Sequence, residues 1–204
     1  MPNKHLKNKI KNYELRRHII IFFFTLFVFF IGKYSSLSSN LLNFVVGSVL
    51  GIVGVMALFT IEYYTKRQIP YEKGLKLEMQ VEEKLKGLKI NYEQSINIGY
   101  GDLDFFIVKG NSYYGIEAKN YPGNVIFEDG LLKINDFNNT NILDTLLNRC
   151  RLVRNLKFGE NPNKFVKPIL VFGYKTIVNI PQNKIKFNNT EIIVATIKDF
   201  DRYI

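Results

Sequence analysis

The chain has 204 residues, of which 47% are apolar and 23% charged, with a formal net charge of +10. That length admits one ordinary domain plus an attachment, and the apolar share excludes a disordered chain. One cysteine, Cys150, excludes an intrachain disulfide framework and a cysteine-built zinc site, and fits a reducing compartment; only His5 and His18 could add imidazole. The basic balance points to an anionic partner, either phosphate backbones or acidic lipid.

In chain order, the first signal is a pair of apolar runs. Ile19 to Ile31 has Thr25 as its only polar residue, and reaches a spanning length at about Leu37 if Lys33 snorkels. Leu41 to Ile61 carries no charge and is about one bilayer long at roughly 1.5 Å per residue. The polar stretch KYSSLSSN separates them, so the simplest reading is a transmembrane helical hairpin over residues 19–61. Lys4, Lys7, Lys9, Lys11, Arg16 and Arg17 precede it, opposed by Glu14 alone; Lys66, Arg67, Lys73 and Lys76 follow it. The positive-inside rule puts both ends in the cytoplasm of a multi-pass cell-membrane protein. A signal peptide is the rival for the first run, but no A-x-A site follows and a second span comes at once. Gly47-x-x-x-Gly51 would let a partner helix approach, which offers a homo-oligomer; ordinary membrane-helix composition explains it equally well.

Residues 1–18 are then a basic leader and residues 62–72 a linker. From about residue 73 to 204 the pattern becomes that of an α/β domain. Gly74 to Leu88 reads as a helix with Val81, Leu85 and Leu88 on its stripe. Ile96–Ile98 is a short strand, broken by Gly99-Tyr-Gly101. Leu103–Lys109 and Tyr113–Lys119 are strands turning at Gly110-Asn111, and Asn124–Phe127 and Leu131–Ile134 turn at Asp129-Gly130. Asn141 to Phe158 is an amphipathic helix with Ile142, Leu146, Cys150, Val153 and Leu156 inward. Pro168 to Gly173 reads as a strand buried on both faces, Glu191 to Ile197 as a last strand, and Lys198 to Tyr203 as a short terminal helix. Together these make an α/β sandwich with a mixed sheet.

Four residues carry chemistry. Asp104 leads an apolar strand, and Glu117 and Lys119 share one face of the next strand, so a hairpin would bring them to one sheet edge. Glu78 falls on the apolar stripe of the first helix, facing the sheet; Glu83 is solvated and Glu82 lies at the stripe's edge. Asp104, Glu117 and the Ala118 carbonyl offer oxygen ligands to Mg²⁺ or Mn²⁺, and Lys119 would orient or deprotonate a water or stabilise developing charge. From spacing alone, a surface salt bridge between Glu117 and Lys119 is the competing explanation.

The order of these residues resembles the PD-(D/E)XK nuclease superfamily, and more closely its nuclease-related domain family. Gly74-LKL-Glu78-MQ-Val81 matches that family's opening G-x-x-x-E-x-x-V helix. Asp104 matches its strand Asp, and Glu117, Ala118, Lys119, Asn120 and Gly123 match its E-x-K-N strand end and glycine turn. Asn141 to Lys157 and Ile169-Leu-Val-Phe172 correspond to its later helix and strand. The resemblance covers roughly Lys73 to Ile204. It implies a restriction-endonuclease-like mixed sheet flanked by helices, divalent-metal use and hydrolysis of DNA. Phe105 stands where members usually have His, and Ile142 and Thr145 stand near the family's Pro and Gln. The last departure keeps a second reading open, a weak or inactive module binding nucleic acid or protein at the membrane.

The later helix and loop carry the candidate phosphate contacts Arg151, Arg154, Lys157 and Lys164, with a solvated helix face as the equal alternative. Tyr113, Tyr114 and Tyr121 offer rings for base stacking, although sheet packing is the more common use. Charge is unevenly spread. Residues 1–61 hold 7 Lys/Arg and 1 Asp/Glu, against 21 and 17 in residues 62–204, so most of the excess is a topology signal.

Overall fold

The computed structural model describes residues 4–35, 40–99, 101–159 and 164–204. The chain divides into two units, His5–Glu72 and a second containing Lys73–Ile204.

The first unit is built on α1 (Lys4–Ser35) and the first part of α2 (Asn40–Gly87). Both helices are long and apolar enough to cross a membrane. They run antiparallel, because Tyr13 stacks on Tyr71 while Phe24 lies against Gly54. A Cβ on Gly54 would stand 3.4 Å from the Phe24 ring, whereas Gly47 and Gly51 face open space. The glycine that admits the neighbouring helix is therefore Gly54. The expected turn falls largely on residues 36–39, which lie outside the described residues. Residues 62–72, expected as a linker, are helical, and α2 passes through Pro70 to end at Gly87.

The second unit is a mixed α/β domain. A six-stranded sheet has the order β1 (Asn91–Asn97), β2 (Asp102–Lys109), β3 (Ser112–Lys119), β7 (Val166–Phe172), β10 (Thr190–Thr196), β9 (Lys184–Phe187). β3, β7 and β10 are parallel; the outer pairings are antiparallel. A parallel centre covered on both faces needs unbroken apolar strands, which explains why Ile169 to Phe172 reads without alternation. On one face Leu77, Val81 and Leu85 of α2 pack on Phe105, Ile107, Ile116 and Val171. On the other, Leu143, Leu146, Cys150 and Val153 of α3 (Asn141–Phe158) meet Leu103, Phe106, Leu170 and Val194. That second core also takes Val125, Leu132 and Ile134 from a small mixed sheet, ordered β6 (Phe137–Asn138), β5 (Leu131–Ile134), β4 (Gly123–Glu128), β8 (Thr176–Asn179).

Most expected elements are present within a few residues. The differences have local causes. Leu88 lies beyond the end of α2 and is exposed, as is Leu156, because the buried stripes close at Leu85 and Val153. β6, β8 and β9 are too short for a period-two pattern to register, so the small sheet was legible only as a hairpin. The C-terminal turn is a 3-10 helix over Phe200–Tyr203.

One contact sets how closely α3 lies on the sheet. A Cβ on Gly115 would come within 2.5 Å of Cys150 Sγ and 3.2 Å of Leu103 and Val166 side chains. Gly115→Ala is therefore expected to overpack this core and cost about 2 kcal/mol, read as a lower melting temperature by calorimetry. An unchanged melting temperature would show that α3 yields freely.

Candidate active site

The site begins with a kink in a strand pair. Ser95 of β1 has φ +52°, an unfavourable value for a residue with a Cβ. Its neighbours keep register, Gln94 opposite Phe105 and Ile96 opposite Leu103. Yet Leu103 belongs to the α3-side core and Phe105 to the α2-side core, two residues on. In a regular strand residues two apart share a face. Asp104 stands where the face changes, across from Ser95, with no residue inserted in either strand. This twist, rather than simple alternation, directs its carboxylate.

Asp104 Oδ2 accepts a hydrogen bond of 2.7 Å from the Ala118 N–H near the end of β3. That bond uses the amide of Ala118, not the carbonyl expected as a ligand. Burial raises the Asp104 pKa well above the usual carboxylate range, and the charges of Glu117 and Glu78 push the same way. Glu78, on the last turns of α2, is 5% exposed, as its place on the apolar stripe requires. Glu82 is also buried at the stripe's edge, accepting from Tyr92 Oη and pairing with Lys86, while Glu83 is exposed.

Glu117 is 1% exposed and lies on the α3 face of β3, since Ile116 and Ala118 face α2. Lys119 Nζ donates to its Oε1 at 2.6 Å. Burial works to lower the Lys119 pKa, but the Glu117 charge and hydrogen bond outweigh it and hold the ammonium above its ordinary value. The pair is thus a buried-carboxylate contact, not the exposed strand bridge that spacing alone would suggest.

A residue absent from the sequence-based site completes the arrangement. Arg149 of α3 places Nη1 2.6 Å from both Glu117 oxygens. The signal was available: Arg149 lies three residues from Leu146 and four from Val153, on the buried stripe, where an arginine requires a partner. Gly101 makes room for it, because a Cβ there would stand 3.0 Å from Arg149 Nη2.

Two carboxylates and a backbone carbonyl on neighbouring strands are the hard oxygen donors that Mg²⁺ or Mn²⁺ takes, so the residues fit such an ion in kind. Among the described residues, no three His, Cys, Asp or Glu groups gather in a ready-made ligand set. In this arrangement Glu117 is instead neutralised by Lys119 and Arg149.

The order Glu78, Asp104, Glu117, Lys119 thus occupies one region of the α/β unit. Residues 73–173 match the family profile described as nuclease-related domain. This part of the chain belongs to the nuclease-related domain family. No curated protein and no solved structure matches the chain.

The remaining expected residues of the nuclease-related domain do not all join this cluster. Lys157 pairs with Glu93, and Lys164 donates to Tyr113 Oη. Arg151 and Arg154 line a separate surface cavity of about 400 Å³ with Asp144, Asn148 and Phe165. Tyr113 packs against Phe106 and Phe158, and Tyr114 is buried, so both serve the core, while Tyr121 is 44% exposed. Asn120, from the E-x-K-N end, donates through Nδ2 to the Lys73 carbonyl and ties β3 to α2.

Proposed function

We propose that the chain is a membrane-anchored, divalent-metal-dependent nuclease that hydrolyses DNA phosphodiester bonds. The observation that carries this reading is the grouping of Asp104, Glu117 and Lys119 at adjoining strand ends, with Asp104 bonded to Ala118 and Lys119 bonded to Glu117. Membership of the nuclease-related domain family and a mixed sheet with a parallel centre support this reading, in which the unit is a relative of the restriction-endonuclease-like PD-(D/E)XK enzymes.

Asp104, Glu117 and the Ala118 carbonyl would hold Mg²⁺ or Mn²⁺, which supplies Lewis acidity toward the phosphoryl oxygen and a lowered pKa for bound water. Lys119 remains a cation at neutral pH and serves to position the attacking water or to balance charge building on the phosphate. Glu78 adds negative charge beside Asp104 and favours a positive occupant. Arg151, Arg154, Lys157 and Lys164 are the phosphate contacts that would align the strand. Residues 1–18 form the basic leader, 19–61 the transmembrane hairpin, 62–72 the connection and 73–204 the nuclease unit. Both ends lie in the cytoplasm by the positive-inside rule.

The full chain in detergent is expected to nick or cut DNA in Mg²⁺ or Mn²⁺ and to be silent in chelator. A panel of double- and single-stranded DNA and RNA identifies the substrate; no cleavage of any member would reject the proposal. One observation favours a second reading, a weak module that binds nucleic acid or protein at the membrane. Both Glu117 oxygens already hold Arg149. Metal-independent, salt-sensitive DNA binding with no cleavage would select that reading.

A further inference from the structure

Arg149 is 19% exposed along its side chain and sits 2.6 Å from a carboxylate that is almost wholly buried. A buried guanidinium is costly unless all its donors are used. Arg149 Nη1 uses both Glu117 oxygens, yet Arg149 Nε is buried without a hydrogen-bond partner in the described structure. The guanidinium is thus tightly placed and incompletely satisfied. A hard cation would need Glu117 oxygens that Arg149 holds, and the two like charges cannot share them at such distances. A phosphate diester, by contrast, is a good partner for a guanidinium fork.

We infer that Arg149 is a charge-exchange residue, holding Glu117 until a divalent cation takes that carboxylate and then passing to a phosphate oxyanion of the nucleic acid. This rests on the proposed reading of the site as one that receives phosphodiesters. Arg149 is a positioning residue, acting on Glu117 and on phosphate rather than on the attacking water. Its consequence is reciprocal coupling: phosphate draws Arg149 away and opens Glu117 to the cation, while the cation releases Arg149 to phosphate.

Mn²⁺ binding to the full chain in detergent, followed by electron paramagnetic resonance, reads this without cleavage. The second probe is a DNA duplex with phosphorothioate linkages, which resists hydrolysis; its own Mn²⁺ binding is subtracted. If the open arrangement is about a tenth of the population, Arg149→Met binds Mn²⁺ about tenfold more tightly than the wild type. The duplex should tighten Mn²⁺ binding to the wild type by a similar factor and tighten it much less in Arg149→Met. Adding Asp104→Asn should remove the gain, which locates the ion at this site. Equal Mn²⁺ affinity in folded Arg149→Met and wild type overturns the inference. So does a wild type whose Mn²⁺ affinity ignores the duplex, a result that stands even if Arg149→Met fails to fold. Tighter Mn²⁺ binding in the variant together with silence in every cleavage assay would reject the nuclease and keep the exchange; cleavage without tighter binding would do the reverse.

Discussion

Lys119→Ala and Asp104→Asn are each expected to lower metal-dependent DNA cleavage by about a hundredfold or more, measured as nicking of supercoiled DNA. The two losses have different origins and different effects on stability. Lys119 is 30% exposed along its side chain, so alanine leaves only a partly dry space, and Glu117 keeps Arg149 as counter-ion. Its melting temperature should change little. Asp104→Asn keeps an oxygen for the Ala118 N–H but removes a negative charge crowded by Glu117 and Glu78. The folded-state pKa of Asp104 lies above its unfolded value, so the wild type loses stability as pH rises from the ordinary carboxylate range through that raised value. Asparagine lacks this loss. The variant should therefore melt higher than the wild type at neutral pH, with the gap closing in acid. Cleavage surviving both substitutions would show that the site is misassigned.

Glu117→Ala should have the opposite effect on the fold. It strands the Arg149 guanidinium and the Lys119 ammonium with no carboxylate between them. Breaking a buried pair by removing one partner costs about 3–5 kcal/mol, and partial exposure of both cations argues for the lower end. For this α/β unit that amounts to a melting point lower by about 10 °C, measured by calorimetry. Glu117→Gln, which retains an acceptor oxygen, should recover part of the loss. A Glu117→Ala chain as stable as the wild type would mean that Arg149 and Lys119 are well solvated without their partner.

Much of this arrangement could be read from the residues. The stripe of Val81 and Leu85 foretold that Glu78 would be buried, and the Gly110-Asn111 turn foretold that Asp104 would reach the Glu117–Lys119 end of the next strand, where it accepts from Ala118. Two features carry no local signal, and a third carries one that a run of charge masks. Period-two alternation alone would put Asp104 on a face with Phe106, and no local signal marks Ser95 as a residue that reverses the strand's faces. The small sheet depends on β8 pairing with β4 across about fifty residues, a contact no window of sequence contains. Arg149 is masked because it stands in a run with Arg151 and Arg154, the two that share an outward face. Its own position on the helical stripe, one residue before Cys150, was the clue that separated it from the other two.

That adjacency gives Gly115 a meaning beyond packing. Cys150 touches the bare backbone of β3 at Gly115, and the very next residue toward the start of α3 reaches Glu117, two residues along the same strand. Helix and strand are thus gauged against each other at the very place where Arg149 must span to Glu117. A methyl group at position 115 would act as a shim, lifting the helix and lengthening that span. The missing side chain of one glycine sets the tolerance to which the charged site is machined.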